Sequence, residues 1–164
     1  MKGGVAIITG ASSGIGKACA TELAKEGVQV ALAARKMDKL EEVKAACEAL
    51  GVKAIAVQCD VSVEADCKRL IDETIKTFGK VHILVNNAGI SMRATFADLD
   101  LSVLKKSMDV NFWGMVYCTK YALPHLLETK GSVIGVSSIA GFRGLPARTG
   151  YSASKFAMNG FLEA

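Results

Sequence analysis

Apolar residues along this chain fall into two alternating textures. Short apolar runs occur at Val5 to Thr9, Val28 to Ala34, Lys53 to Cys59, Val81 to Val85 and Ser132 to Ser137. Val28 to Ala34 shows no polar alternation, as expected of a strand with both faces covered. Between the runs, apolar or small residues recur every three or four positions. They are Ile15, Ala18, Cys19 and Leu23 after the first run, and Leu40, Val43, Cys47 and Leu50 after the second, up to Gly51. Val63, Cys67, Leu70, Ile71, Thr74, Ile75 and Phe78 follow the third and stop at Gly79. Asp38 and Glu41 have the spacing of a capping box for the second helix. From Asp98 or Asp100 as N-cap, a further helix is predicted through Leu104, Met108, Phe112, Met115 and Thr119 towards Leu127. Pro124 should bend it or end its regular hydrogen bonding. A last helix starts near Tyr151 and is still running at Ala164. Four strand–helix units and a fifth strand predict an α/β, Rossmann-like fold: a doubly wound parallel sheet with helices on both faces. Ligands are then expected at the carboxyl ends of the strands.

Composition narrows the classes without choosing a chemistry. The 164 residues, 51% hydrophobic, suit one domain with a buried core, read here as a single unit over 1–164. No apolar run approaches the ~20 residues of a membrane span, and Met1 to Ile8 is too short for a signal peptide's apolar segment, so a cytoplasmic protein is expected. The net charge of +4 comes from dispersed Lys and Arg with no interleaved aromatics, which argues against nucleic acid as a partner. Five cysteines lack metal-ligand spacing, so reduced core thiols and no metal are expected.

Chemistry enters where the strands end. Gly10, Gly14 and Gly16, with Ser12, Ser13 and Ile15 between them, form a GxxxGxG loop between the first strand and its helix. Glycines there let the backbone turn tightly and approach a pyrophosphate at the helix N-terminus. At the end of the second strand an acidic residue would accept ribose hydroxyls and repel a 2′-phosphate. Here stand Ala34, Arg35 and Lys36 instead, so NADP(H) is the expected cofactor, with Arg35 as the planar phosphate partner. Tyr151 and Lys155 are four apart and share a helix face. A phenol ordinarily keeps its proton to about pH 10, and a neighbouring ammonium and a helix N-terminus favour the phenolate. Ser138 offers a hydroxyl to an oxygen on which charge develops. Asn111, flanked by Val110, Phe112 and Trp113, must find hydrogen bonds or cost about 1 to 3 kcal/mol.

Taken with Asp60-Val61 and Asn86-Asn87-Ala88-Gly89, these residues resemble the short-chain dehydrogenase/reductase family, in its TGxxxGxG subgroup, over the whole chain. The resemblance implies that Asp60 and Val61 hold the adenine and that Asn87, Ala88 and Gly89 line the nucleotide cleft. Asn86 and Asn87 would also stabilise the central strands. Asn111 would kink its helix and hold a water connecting Lys155 to solvent. The implied reaction is hydride transfer between nicotinamide and a carbonyl or secondary alcohol. Tyr151 acts as general acid/base, Ser138 polarises the oxygen and Lys155 also grips the nicotinamide ribose. Ser137, one residue off the family spacing, is given a structural role, and neither His82 nor His125 has a catalytic setting. A small, apolar substrate is expected, bordered by Gly89 to Met92 and Phe142 to Pro146. Homodimers or homotetramers through the helices Asp100 to Leu127 and Tyr151 onward are implied as well. Family members are generally longer, which places their last strands and substrate lid beyond Ala164. Two rivals remain: a catalytically silent NADP(H)-binding regulatory or scaffold protein of the same fold, and an epimerase or dehydratase of the wider superfamily.

Overall fold

The computed structural model describes residues 2–164 and leaves Met1 of the opening run outside. Five parallel strands, β1 (Val5–Thr9), β2 (Gln29–Ala34), β3 (Ala54–Gln58), β4 (Ile83–Asn86) and β5 (Ser132–Gly135), lie in the order β3-β2-β1-β4-β5. The chain winds outward from β1 to β3, then returns to place β4 on the other side of β1. A crevice therefore opens at the carboxyl ends of β1 and β4, the switch point of a doubly wound sheet. This is the predicted fold class.

The period-two geometry of the strands sorts the core into two layers. Ala6, Ile8, Val30 and Leu32 pack with Ala20 and Ala24 of α1 (Gly14–Lys25) and Leu40, Val43 and Cys47 of α2 (Met37–Glu48). Ile7, Ala31 and Leu84 face the other way. They meet Cys67, Leu70 and Ile71 of α3 (Glu64–Phe78) and Cys118, Ala122 and Leu126 of α5 (Gly114–Thr129). Each fully buried Leu or Ile contributes about 1.5–3 kcal/mol, so the uninterrupted apolar strands hold helices on both faces. Gly79 ends α3 in the left-handed conformation (φ 72°), as the sequence pattern predicts.

Several local expectations give way. Asp38 does not cap α2: the helix starts at Met37, and Lys36 stands at the N-cap without a side-chain hydrogen bond, because β2 leads almost directly into it. Asp38 sits inside the first turn, where its charge suits the positive helix end. Leu50 lies past the end of α2 and is 42% exposed. Asp100 does cap α4 (Leu101–Met108), accepting from the Ser102 N–H at 2.8 Å. Pro124, however, neither ends nor defines a break in the following helix, since α5 runs through it to Thr129. Regular hydrogen bonding is interrupted earlier, in a π-helical stretch from Asp109 to Trp113 that joins α4 to α5 around Asn111. β5 stops at Gly135, two residues short of the predicted end, and is only partly covered because it lies at the edge of the sheet. The last helix, α6, spans Thr149–Glu163. All five cysteines are free thiols, four of them buried. Among the described residues no helix is long and apolar enough to cross a membrane.

Candidate active site

The glycine loop is built by contacts that exclude side chains. Gly10 has φ +65°, and a Cβ there would lie 2.9 Å from both Ala88 Cα and Asn87 Nδ2. At Gly16 a Cβ would collide with the Gly10 carbonyl oxygen and approach Asn87 Nδ2 to 2.5 Å. Gly14 differs: φ is +53°, and nothing lies within 4 Å of where its Cβ would be. The loop is packed on its sheet side and open on the other. Ser13 stands at the N-cap of α1 without a side-chain hydrogen bond, and the first turn contains no acid, so this helix end is left uncapped by side chains and unneutralised.

Thr9 locks this loop to the end of β4. Its Oγ1 accepts from the N–H groups of Asn87 and Ala88, each at 3.0 Å, while Asn87 Nδ2 donates to the Thr9 carbonyl at 2.9 Å and to the Gly10 carbonyl at 3.3 Å. Asn86 points inward instead and donates to Thr119 Oγ1 at 3.2 Å. The motif Asn86-Asn87-Ala88-Gly89 thus serves the sheet and the crevice with adjacent residues. The sequence reading counts Thr9 only as the first residue of the TGxxxGxG loop, although a hydroxyl at a strand end before glycine is the signal for such a tie.

Gly10, Ser12, Ser13, Arg35, Asp60, Val61, Asn87, Ala88 and Gly89 all line one cleft of about 380 Å³. Lys36 and Lys39 join Arg35 in its lining, and Asp60 supplies a carboxylate to the same cleft. Asp60 Oδ1 accepts from Ser62 N–H at 3.0 Å and Ser62 Oγ at 2.6 Å. Its own N–H donates to Asp66 Oδ2 at 3.0 Å. That bond, together with the Arg69 guanidinium, holds the Asp66 carboxyl below the usual carboxylate range. Gln58 Nε2 donates to the Arg35 carbonyl at 3.0 Å, steadying the basic corner. Open loop, free helix N-terminus and three cations on one wall fit an anionic dinucleotide. Gly14, Ile15 and Gly16 stand behind or outside this wall, and Ile15 is 61% exposed. Lys39 was not singled out by the sequence, because its place on the wall depends on where α2 begins.

Tyr151 and Lys155 lie beyond the Gly89 end of the cleft, one turn apart on α6. Lys155 Nζ is 5.9 Å from the centre of the Tyr151 ring and donates to the Val136 carbonyl at 2.7 Å. A Cβ on Gly89 would stand 3.8 Å from that ammonium and 3.2 Å from Asn111 Oδ1, so Gly89 stands between the cleft and Lys155. Lys155 is 4% exposed, and burial pushes its pKa down from 10.5. Asn111, fully buried, accepts from Ile90 N–H at 2.8 Å and donates to the Ile90 carbonyl and to Ser154 Oγ, each at 2.9 Å. Ser154 Oγ in turn donates to the Tyr151 carbonyl at 2.7 Å. Its role in this relay had no sequence signature.

Ser138 opens the short 3-10 turn Ile139–Gly141, where its Oγ accepts from Ala140 N–H at 3.2 Å and keeps its own proton to donate. Asn159 of α6 donates to the Gly141 carbonyl at 3.0 Å, tying that turn to the helix bearing Tyr151. Ser137 Oγ is buried against Gly141 with no partner among the described residues. His82 Nδ1 accepts from the Val5 N–H at 3.1 Å, a strand-end contact away from the crevice.

Residues 4–164 match the family model described as short chain dehydrogenase. A curated relative from Arabidopsis thaliana, "11-beta-hydroxysteroid dehydrogenase-like 4A", is 47% identical over 99% of this chain and 55% of its own length. "11-beta-hydroxysteroid dehydrogenase-like 2" of the same organism is 45% identical, with 98% and 53% covered. The chain spans about half the length of the curated relatives it matches. Among solved structures, an alcohol dehydrogenase from the archaeon Thermococcus sibiricus complexed with 5-hydroxy-NADP superposes with a TM-score of 0.95 at 31% identity, over 98% of this chain and 68% of that one. An NAD+-bound xylitol dehydrogenase gives 0.95 at 30% identity, with 99% and 63% covered. With a nucleotide cleft at the switch point and a Tyr–Lys pair beside it, the chain belongs to the short-chain dehydrogenase family of oxidoreductases.

Proposed function

We propose that this chain is the cofactor-binding and catalytic unit of an NADP(H)-dependent oxidoreductase acting on a carbonyl or secondary alcohol. The observation that carries the reading is that Gly89, which lines the cleft, lies against Asn111 and Lys155, with Tyr151 one turn from Lys155. Preference for the 2′-phosphorylated cofactor rests on Arg35, Lys36 and Lys39 on one wall. Arg35 presents a planar fork and both lysines add charge. The solved relatives carry NADP-type and NAD cofactors alike, so this wall is the basis for the choice.

The bound nicotinamide would supply or accept the hydride. Ser138 donates its hydroxyl to the substrate oxygen, while Tyr151 Oη gives or takes the proton there. Lys155 stabilises the negative charge left on Tyr151 Oη, and its ammonium, which donates to the Val136 carbonyl and meets Met158 Sδ at 3.9 Å, keeps a donor for the nicotinamide ribose. Asn111 has its side-chain amide bonded to Ile90 and Ser154, so it positions α6 and the segment after β4 rather than meeting substrate. Pairing of copies is read from the α4–α5 and α6 faces, where Trp113 is 44% exposed and stacks on Tyr117, and Phe112 packs edge-on to Phe161. A cytoplasmic setting is part of the same proposal.

The experiment is oxidation of NADPH, followed at its absorbance band, with a panel of ketones and aldehydes. NADPH-dependent reduction is expected. Tight NADPH binding without turnover across the panel would favour a cofactor-sensing protein of the same fold.

A further inference from the structure

The segments beside the reacting end carry charge of one sign. Between Asn87 and Ala97 the only charged residue is Arg93, and between Ser138 and Leu162 the charged residues are Arg143, Arg148 and Lys155, with no Asp or Glu in either stretch. These stretches meet in space: the Ala94 N–H donates to the Ala147 carbonyl at 3.0 Å, one residue from Arg93 and Arg148 respectively. The Arg148 guanidinium donates to Ser91 Oγ, and Arg148 is the N-cap residue of α6, three positions before Tyr151. The Arg143 N–H donates to the Ile139 carbonyl at 2.9 Å, which sets Arg143 on the turn capped by Ser138.

Elsewhere in the fold some cations find carboxylates, and others, Lys17, Lys76 and Lys120 among them, have none among the described residues. Lys25, Lys44, Lys68, Arg69 and Lys105 each pair with an acid one turn away. Among the described residues Arg93, Arg143 and Arg148 have no such partner. Asp98, the first acid after Arg93, instead accepts from Thr95 Oγ1 at 2.5 Å. Beside the arginines stand apolar groups left open, Ile139 at 69% and Phe142 at 74% exposure. A neutral apolar substrate accounts for those two but not for the acid-free, cationic stretches beside them.

We infer that the substrate is a carbonyl compound or alcohol with an apolar body and an anionic head, a carboxylate or phosphate, received by Arg148 together with Arg93 and Arg143. This rests on the hydride-transfer reading above and gives it a substrate class. A guanidinium fork bonds either anion bidentately, and the N-terminal end of α6 adds positive potential at the same place. The basic corner at Arg35 lies at the far side of the glycine loop, so the reactant's anion and the cofactor's phosphates need not compete.

Two measurements test it. In the first, decanoate, decyl phosphate and decanol, each below its micelle-forming concentration, are titrated calorimetrically into the protein with and without NADP+. Either anion should bind about tenfold or more tightly than decanol, and the advantage should shrink with salt and in Arg93→Gln/Arg143→Gln and Arg148→Gln. The tighter of the two anions identifies the head group. In the second, kcat/KM is compared for 4-oxodecanoate and its methyl ester. The acid-to-ester ratio should be about ten or more and should fall towards one in the variants. Equal binding of decanol and both anions, or a ratio at or below one, overturns the inference. If neither keto compound is reduced but arginine-dependent anion binding persists, the anion site stands and the hydride-transfer reading fails.

Discussion

Asn111 Nδ2 and Ser154 Oγ share a hydrogen bond of 2.9 Å, with both side chains at zero exposure. The bond crosses from the π-helical stretch to α6 and ends, through Ser154, on the Tyr151 carbonyl. Replacing Asn111 by Asp keeps the shape but turns a buried donor into an acceptor facing the Ile90 carbonyl. A loss of about 3 kcal/mol or more is expected from the unpaired buried group and charge. Ser154→Ala removes one hydroxyl and should cost about 1 to 2 kcal/mol. Urea unfolding of both variants checks the order, and an Asn111→Asp protein as stable as the Ser154→Ala protein would contradict this account of the relay.

Tyr151→Phe deletes the proposed proton donor without touching the cleft walls. Turnover should drop by about 10² to 10⁴, with NADPH affinity nearly unchanged. Steady-state rates and fluorescence titration of NADPH separate the two effects, and near-normal turnover would remove Tyr151 from the mechanism.

Arg35→Asp puts a carboxylate where the 2′-phosphate is expected, so preference should swing towards NAD(H) through repulsion as well as lost attraction. Lys39→Gln should weaken NADPH alone and by less, since it removes a point charge and adds no opposing one. The ratio of kcat/KM for the two cofactors is the readout. If neither substitution moves it, the basic wall does not read the phosphate.

Gly16→Ala and Gly14→Ala should differ in kind. A methyl at Gly16 meets backbone and Asn87, so about 1 to 3 kcal/mol of stability and much of the cofactor affinity should go together. At Gly14 there is room, and the cost is the left-handed backbone, about 1 to 2 kcal/mol. Thermal melts with and without NADP+ distinguish them: the stabilisation that NADP+ confers should be lost more completely in Gly16→Ala.

Burial pushes the Lys155 pKa below its ordinary 10.5, so the folded protein releases that proton at a lower pH than the unfolded chain. Between those two pH values the unfolded state binds more protons, and stability contributed at this position rises with pH through the window ending at 10.5. Below the window the buried charge is a constant cost. Lys155→Met should lack the rise, so its stability relative to the parent should decline as pH increases through the window. A difference that stays flat with pH would place the Lys155 proton outside this linkage.

The alternation of apolar runs with helical stripes determined the sheet, its parallel sense and both helical layers, because strands buried on two faces and helices buried on one leave different periods in a linear chain. The glycine loop, Arg35 and the Tyr151–Lys155 spacing were legible for a similar reason, since each depends on residues close along the chain. What acts across the chain was not. The start of α2 follows from how β2 delivers Lys36, not from the capping box at Asp38, and that in turn brings Lys39 to the cleft. The irregular stretch after Asp100 falls at Asn111, where the family resemblance expects a kink, rather than at Pro124, and the partners that hold Asn111 there, Ile90 and Ser154, lie 21 and 43 residues away. Thr9 gains its role only when β4 returns beside β1 and brings the Asn87 and Ala88 N–H groups to its hydroxyl. The meeting of Ala94 with Ala147, which brings Arg93 and Arg148 to neighbouring backbone positions, likewise depends on the return of α6 to the sheet. Local spacing records what neighbours in sequence can do together, whereas hydrogen bonds between distant segments exist only once the sheet has set the distances between them.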